Sequence, residues 1–136
     1  MRLAIIDLGT NSVRFDVHEI GPENEVYRLH REKLMIRLGE GVFLKRRLDD
    51  GASDLCIQAF KSFQRTLTDF KVQRVIAFGT SALREAKDSE KLIRRLQKET
   101  GIRVRIIAGE EEARLIARGI MSNEVGLRGS YALVDI

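Results

Sequence analysis

Residues 2–18 read RLAIIDLGTNSVRFDVH, and this stretch predicts two strands joined by a short turn. The apolar run that ends at Asp7 is typical of a buried strand. Small polar residues at 9–12 favour a turn, and the segment 13–18 then alternates apolar and polar residues as a half-buried strand does. We therefore expect the chain to open with a hairpin whose turn lies directly beside an aspartate.

Beyond the hairpin, the sequence predicts a third strand over 26–36 and then an alternation of helices and strands. Ser53 is the predicted N-cap of a long helix, whose apolar stripe would consist of Leu55, Ala59, Phe63, Leu67 and Phe70. The later elements are a strand over 74–78, a helical stretch from Ala82, a helix from Asp88 to Gly101, a strand over 102–108, a helix over 109–121 and a strand over 131–136. This order favours an α/β domain with a mixed sheet, an opening antiparallel meander and flanking helices.

The composition is that of a folded domain rather than a disordered or membrane-spanning chain. Of the 136 residues, 43% are hydrophobic and 32% charged, and no apolar run approaches the roughly twenty residues of a membrane span. The single cysteine, Cys56, cannot form an internal disulfide, and we expect it to be a buried apolar side chain. We predict a cytoplasmic domain with no membrane partner.

The net charge of +4 suits an anionic partner. However, the basic residues are spread along the chain without a dense block or interleaved aromatic residues, which disfavours a specific nucleic-acid site. His18 and His30 have neither metal-ligand spacing nor a catalytic partner, so we expect structural or surface roles for both.

Asp7 and the turn after it form the first candidate site. Gly9 lets the backbone approach a ligand closely, and successive N–H groups in a tight turn form an anion-binding nest. Thr10, Asn11 and Ser12 add neutral donors that would wrap a phosphate or a metal-bound water. These are also the usual residues of a plain hairpin turn, so both interpretations stay open.

The second candidate is the segment 79–86, GTSALREA, which joins a predicted strand to a helix. Thr80 and Ser81 lie where free N–H groups and the helix dipole favour an anion. The planar guanidinium of Arg84 can hold a phosphate by two parallel hydrogen bonds. The alternative is that Thr80 or Ser81 is merely an N-cap and that Arg84 is a solvated helix residue.

The third candidate is the acidic first turn of the helix predicted over 109–121, where Glu110, Glu111 and Glu112 stand in a row. Such a run has a simple explanation, because acids interact favourably with the positive end of the helix dipole. Glu110 and Glu111 each have Arg114 at helical spacing as a surface partner, whereas Glu112 has apolar neighbours there. A partly desolvated carboxylate suits a general base, which favours Glu112 for that role.

Together the three motifs resemble those of the Ppx/GppA phosphatases, which are exopolyphosphatases and guanosine pentaphosphate phosphohydrolases. IDLGTNS at 6–12 resembles the family's form of the first phosphate loop shared by actin, sugar kinases and heat-shock ATPases. GTSALREA at 79–86 and GEEEARLI at 109–116 are similar to two further family motifs. The resemblance implies a ribonuclease-H-like actin fold (the ASKHA class), with 1–136 as an amino-terminal lobe that ends before the second phosphate loop.

The resemblance also implies roles for individual residues. Glu112 falls at the position of the family's catalytic base and Glu111 would support it, although three acids in a row leave the assignment open to a slip of one position. Mg²⁺ would be held through Asp7 and through Asp135, which ends the strand over 131–136. The residues that would contact substrate phosphate are Gly9, Thr10, Asn11, Ser12, Thr80, Ser81 and Arg84.

The activity implied by the resemblance is hydrolysis of the terminal phosphoanhydride bonds of polyphosphate or of guanosine pentaphosphate, with release of inorganic phosphate. The preference between the two substrates stays open. We expect a homodimeric full-length protein and no turnover by this lobe alone. Two alternatives remain, an ATP-using relative of the sugar-kinase or chaperone type and a non-catalytic regulator that binds guanosine tetra- or pentaphosphate.

Overall fold

The structure is a computed structural model that describes residues 1–123. Within that range, five strands form one mixed sheet: β1 (Arg2–Leu8), β2 (Ser12–Ile20), β3 (Val26–Met35), β4 (Arg74–Gly79) and β5 (Val104–Ile106). They lie in the order β3-β2-β1-β4-β5, with β1 to β3 antiparallel and with β4 parallel to β1 and to β5. The predicted mixed sheet with an opening meander is confirmed. The strand predicted over 131–136, including Asp135, lies outside the described residues.

The helices are α1 (Val42–Lys45), α2 (Asp50–Asp69), α3 (Ser81–Glu85), α4 (Ser89–Thr100) and α5 (Gly109–Asn123). Helix α1 was not predicted, because four residues are too few to show a helical period. Strand β5 has three residues and so is shorter than the predicted 102–108. Among the helices of the described range, none is long and apolar enough to cross a membrane.

Helix α2 begins earlier than predicted, because Asp49 rather than Ser53 is its N-cap. The Asp49 carboxylate accepts a hydrogen bond from the Ala52 N–H at 2.9 Å, the contact by which an N-cap side chain satisfies the first turn. Ser53 lies inside the helix, where its hydroxyl donates to the Asp49 carbonyl oxygen at 2.8 Å. Aspartate and serine cap a helix equally well, so the residue type alone does not choose between Asp49 and Ser53. Gly51 has a low helix propensity, and the first turn was therefore not predicted to be helical.

One face of the sheet packs against α2 and α4 to form the core. Phe15 of β2 stacks on Phe63 of α2 with ring centroids 4.4 Å apart. Phe63 is a buried core residue, as predicted. Leu55 was predicted for the same apolar stripe but is 50% exposed, so that prediction was wrong. The buried stripe of α2 consists of Ala52, Cys56, Ile57, Ala59, Phe60 and Phe63.

Cys56 is fully buried, as predicted, and burial raises the pKa of its thiol to about 12. Because the thiolate is the reactive form, we expect a thiol-specific reagent to leave the native protein unlabelled at mildly alkaline pH and to label Cys56 completely after denaturation. Thiol titration with and without denaturant measures this difference. Equal labelling rates in the two conditions would contradict the described packing of α2.

The opposite face of the sheet, which we call the second face, carries the alternate residues of each strand. It presents Asp7 of β1, Arg14 of β2 and Phe78 of β4, which are direct neighbours in the strand register. Helix α5 follows β5, and its Glu112 lines the same cavity as these three residues. The carboxyl ends of β1 and β4 therefore meet the first turns of α5 on the second face.

Candidate active site

The turn between β1 and β2 is closed by a hydrogen bond that the Gly9 N–H donates to the Ser12 carbonyl oxygen at 3.0 Å. A Cβ on Gly9 would lie 3.2 Å from that oxygen, so glycine permits a closeness that other residues would strain. The predicted turn is confirmed, and it directly follows the strand that ends beside Asp7.

A second loop holds this turn in place, which sequence reasoning did not predict. The Asn11 carbonyl oxygen accepts a hydrogen bond from the Ile36 N–H at 3.0 Å, and the Thr10 carbonyl oxygen accepts one from the Gly39 N–H at 2.8 Å. A Cβ on Gly39 would overlap the methyl group of Thr10. The glycine at position 39 could have indicated that this loop approaches another group closely, but sequence alone does not show which group a loop glycine approaches.

The two loops predicted to bind phosphate meet through their hydroxyl groups. Thr10 Oγ1 and Ser81 Oγ lie 2.5 Å apart although the residues are 71 positions apart in the chain. Thr80, which is buried, donates its N–H to the Leu8 carbonyl oxygen at 3.2 Å. The structure therefore brings the first and second candidates together at the carboxyl ends of β1 and β4.

Helix α3 attracts an anion less strongly than the sequence suggested. It has five residues, and few aligned peptide units make a weak dipole. Thr80 is the N-cap of α3 by position, which was one of the interpretations left open, but within the described chain its side chain makes no capping hydrogen bond. The charge that remains available for an anion in this segment belongs to Arg84.

Arg84 contacts Glu112 directly, across 28 positions of sequence. Arg84 Nη1 donates to Glu112 Oε2 at 2.7 Å and to the Ile107 carbonyl oxygen at 2.9 Å. The two charged side chains are 26% and 27% exposed, so both are partly withdrawn from water. The interpretation of Arg84 as a solvated helix residue was wrong, and the predicted partial desolvation of Glu112 is confirmed.

Glu111 points to a different partner. Its Oε1 accepts a hydrogen bond from Arg105 Nη2 at 2.9 Å, and the Arg105 guanidinium lies 5.5 Å from the centroid of the Phe78 ring. The partner predicted from helical spacing was Arg114. Arg105 takes that place because the sheet brings β5 beside the first turn of α5, a contact that the helical repeat does not contain.

A cavity of about 470 Å³ on the second face is lined by three of the predicted site residues, Asp7, Thr80 and Glu112. Its polar lining consists of Asp7, Arg14, Asp16, Thr80 and Glu112, and its apolar lining of Ile5, Phe78, Ile107 and Ile116. Two other cavities, of about 430 and 670 Å³, lie around the start of α2 and contain none of the predicted site residues. The chemistry of the lining, rather than volume, identifies the cavity on the second face as the candidate site.

The candidate site has one predicted metal ligand within the described residues, Asp7. No group of three or more potential ligand side chains is found in residues 1–123, and Asp135 lies outside them. Magnesium commonly uses only one or two carboxylates and takes its other ligands from water and substrate phosphate. A single aspartate beside the two loops predicted to bind phosphate therefore fits Mg²⁺ without a preformed protein cage.

Asp16 is a buried site residue that sequence reasoning missed. Its two carboxylate oxygens accept hydrogen bonds from Arg31 at 2.8 and 2.7 Å, and it is 8% exposed. Burial raises the pKa of the Asp16 carboxyl, but the hydrogen bonds and charge of Arg31, with smaller contributions from His18 and Arg14, outweigh burial and hold the pKa below its ordinary value. Only the pairing of β2 with β3 reveals this contact.

A carboxyl with a lowered pKa in the folded state stabilises the fold above its ordinary pKa of 3.8 and loses that contribution as the pH falls through the folded value. We expect Asp16→Asn to cost about 1 kcal/mol at neutral pH, since Arg31 is half-exposed and water screens the pair. We also expect the variant to lose less stability than the wild type between about pH 5 and 2. Denaturant titrations across this range measure both effects, and parallel pH profiles would contradict them.

The chain is similar to proteins of one family. A sequence profile of the Ppx/GppA phosphatase family matches residues 17–136. Exopolyphosphatase 1 of Mycobacterium tuberculosis is 30% identical over 115 residues, which is 85% of this chain and 33% of that protein. The chain thus spans about a third of that relative's length.

Solved structures show the same relationship. The structure of an exopolyphosphatase from Cytophaga hutchinsonii matches with a TM-score of 0.86 and 35% identity, over 90% of this chain and 39% of that chain. The structure of the Aquifex aeolicus member of the Ppx/GppA protein family matches with a TM-score of 0.80 and 33% identity, over 84% of this chain and 37% of that chain. These matches confirm the predicted ASKHA-type fold.

Proposed function

The chain belongs to the Ppx/GppA phosphatase family, and from this premise we propose that the full-length protein hydrolyses the terminal phosphoanhydride bonds of inorganic polyphosphate. Water attacks the terminal phosphorus atom, and the products are inorganic phosphate and a chain that is one unit shorter. The names of similar proteins, such as exopolyphosphatase 1 of Mycobacterium tuberculosis, support the substrate class.

The contact between Arg84 and Glu112 is the observation that supports this proposal most directly. Phosphoryl transfer requires little covalent work from the protein, which must neutralise charge on the phosphate and place water in line. Arg84 offers the cation and Glu112 the base, and their atoms lie 2.7 Å apart beside the cavity that Asp7 lines. A phosphate bound to Arg84 would thus lie within reach of a water bound to Glu112.

Neutral donors would complete the phosphate site. The turn at 9–12 offers backbone N–H groups and small polar side chains, and Ser81 lies at hydrogen-bond distance from Thr10 within it. The Thr80 N–H already donates to the Leu8 carbonyl oxygen, which leaves its hydroxyl as the group for a ligand. Neutral donors hold an anion without pairing permanently with Arg84 or Glu112, so the charged pair stays available for the reaction.

Substrate binding would redistribute the hydrogen bonds of Arg84. In the structure Arg84 Nη1 serves both Glu112 and the Ile107 carbonyl oxygen, while a guanidinium has five donors and a carboxylate has about four acceptor positions. A phosphate oxygen would take the outward-facing N–H groups, and Glu112 would keep acceptor positions for the attacking water. In this role Glu112 orients the water and removes its proton.

We propose that Asp7 holds Mg²⁺, directly or through water, together with Asp135 beyond the described residues. A bound magnesium ion would neutralise charge on the phosphate oxygens. Guanosine pentaphosphate ends in the same type of bond, so the same residues would act on it. The choice between the two substrates would depend on contacts made away from the terminal phosphate.

Phosphate release by the full-length protein tests the function. The rate of phosphate release is measured from long-chain polyphosphate, from guanosine pentaphosphate and from ATP. Each substrate is assayed in the presence of Mg²⁺ and again after a chelator has removed the ion. We expect release from polyphosphate, guanosine pentaphosphate or both, at rates well above that from ATP, and loss of activity on chelation. Release from ATP alone would favour the ATP-using alternative, and binding of a guanosine polyphosphate without any release would favour the regulator.

A further inference from the structure

Gly39 lies buried in the loop that follows β3, and space rather than backbone conformation requires a glycine there. Its φ is outside the left-handed region, whereas the φ of Gly41 is 79°. A Cβ on Gly39 would overlap the Thr10 methyl group and would lie 3.3 Å from both the Cβ and the carbonyl oxygen of Thr10. The Thr10 methyl group therefore occupies the space that a side chain at position 39 would take.

The backbone of Gly39 is held on both sides. Its N–H donates to the Thr10 carbonyl oxygen at 2.8 Å, and its carbonyl oxygen accepts a hydrogen bond from the Val42 N–H at 3.1 Å. Leu38 and Val42, on either side of it in the loop, are fully buried, and close-packed residues resist displacement. Thr10 is only partly buried. A side chain at position 39 would therefore move the Thr10 side chain rather than the loop.

The Thr10 side chain has three staggered rotamers, and in the observed one the hydroxyl lies 2.5 Å from Ser81 Oγ while the methyl group lies at Gly39. The chirality of Cβ fixes the order of the hydroxyl, the methyl group and the hydrogen around it. The rotamer that turns the hydrogen towards Gly39 puts the methyl group at Ser81, and the third rotamer puts the hydroxyl itself at Gly39. An added methyl group at position 39 would therefore take the Thr10 hydroxyl away from Ser81.

We propose that Gly39 is a positioning residue of the phosphate site, because the space it leaves open holds the Thr10 methyl group and so fixes the Thr10 hydroxyl beside Ser81. This inference rests on the proposed function and adds to it a residue that does not touch the substrate. Two hydroxyl groups that share one hydrogen bond keep one O–H group that can donate to a phosphate oxygen. A donor that is held in place before the ligand arrives loses less conformational entropy on binding.

Equilibrium binding of tripolyphosphate to the full-length protein tests the inference. All proteins compared carry Glu112→Gln, so that turnover does not obscure binding, and thermal unfolding shows that each is folded at the assay temperature. We expect Gly39→Ala to lower the affinity roughly tenfold, as for one lost hydrogen bond to a charged group. Thr10→Ser keeps the hydroxyl but frees its rotamer among three, so it should lower the affinity by at most about threefold.

Two double variants separate the position of the hydroxyl from the packing of the loop. Thr10→Ser should restore most of the affinity that Gly39→Ala removes, because serine has no methyl group to overlap the new side chain; the contacts at 3.3 Å that remain make the rescue incomplete. Thr10→Val has no hydroxyl, so Gly39→Ala should lower the affinity little further in that background.

Gly119→Ala is the matched control, because it makes the same change at an exposed glycine of α5. Among the described residues, nothing outside the neighbouring helix backbone lies within 4 Å of a Cβ added at Gly119. We expect the affinity of this variant to equal that of the protein without it. A loss equal to that of Gly39→Ala would mean that the effect does not depend on the space beside Thr10.

The inference is overturned if Gly39→Ala binds with unchanged affinity, if Thr10→Ser gives no rescue, or if Gly39→Ala costs as much in the valine background. Should Gly39→Ala alone fail to fold, its combination with Thr10→Ser should fold and bind, and failure of both also overturns the inference, as does a protein that binds no tripolyphosphate in any form. Phosphate release by the wild type is scored separately. An inactive wild type with the expected affinities contradicts the hydrolase proposal and leaves the positioning role standing.

Discussion

Glu112→Gln in the full-length protein is expected to lower kcat for phosphate release by about 10²–10⁴-fold, the range typical of a lost general base. Glutamine has nearly the same shape and its amide oxygen can still accept the Arg84 hydrogen bond now seen at 2.7 Å. It cannot take a proton from water, however, so kcat should fall while KM changes little. Steady-state phosphate release against polyphosphate concentration separates the two parameters.

Glu111→Gln is the matched control, because it makes the same chemical change one residue away. The Glu111 carboxylate pairs with Arg105 at 2.9 Å and does not line the cavity that Glu112 lines. We expect a loss below about tenfold, as for one disturbed surface ion pair. A larger loss in Glu111→Gln than in Glu112→Gln would move the base by one position and contradict the proposed site.

The order of elements in the fold could be predicted from the sequence because each element has its own local signal. The apolar run before Asp7 and the alternation over 13–18 both predicted strands that the structure confirms. The start of a helix depends on its N-cap residue, and aspartate and serine are equally favoured at that position. The start of α2 was therefore wrong by one turn, with Asp49 as the observed cap in place of Ser53.

The candidate site was predictable as a set of segments but not as a set of contacts. Chemical type and position within a motif pointed to Arg84 and Glu112, whereas their hydrogen bond requires α5 to lie beside the carboxyl end of β4. Asp16 gave no such signal, because its alternating position in β2 is that of any solvent-facing strand residue. Its burial follows from Arg31 on the neighbouring strand, and pairing across a sheet is a tertiary property.

Arg84→Ala is expected to lower kcat/KM for polyphosphate by about 10²–10³-fold, as for loss of a preorganised donor at a transferring group. The change removes the cation at the terminal phosphate and also the group that holds Glu112. Arg84→Lys keeps the charge but loses the planar fork, so its activity should lie between those of the wild type and the alanine variant. A lysine variant no better than alanine would show that geometry rather than charge dominates, and an alanine variant near wild-type activity would remove Arg84 from the site.

The double variant Arg84→Ala/Glu112→Gln tests whether the two residues act as one unit. If Arg84 positions the phosphate and also the carboxylate that activates water, either single change already disables most of the same step. The combined loss should then be close to the larger single loss rather than to the product of the two, as in other catalytic groups that work together. The ion pair at 2.7 Å, with both side chains about a quarter exposed, puts the residues well within the distance at which such coupling occurs. Losses that multiply would mean that the ion pair stabilises the fold while the two residues serve independent steps.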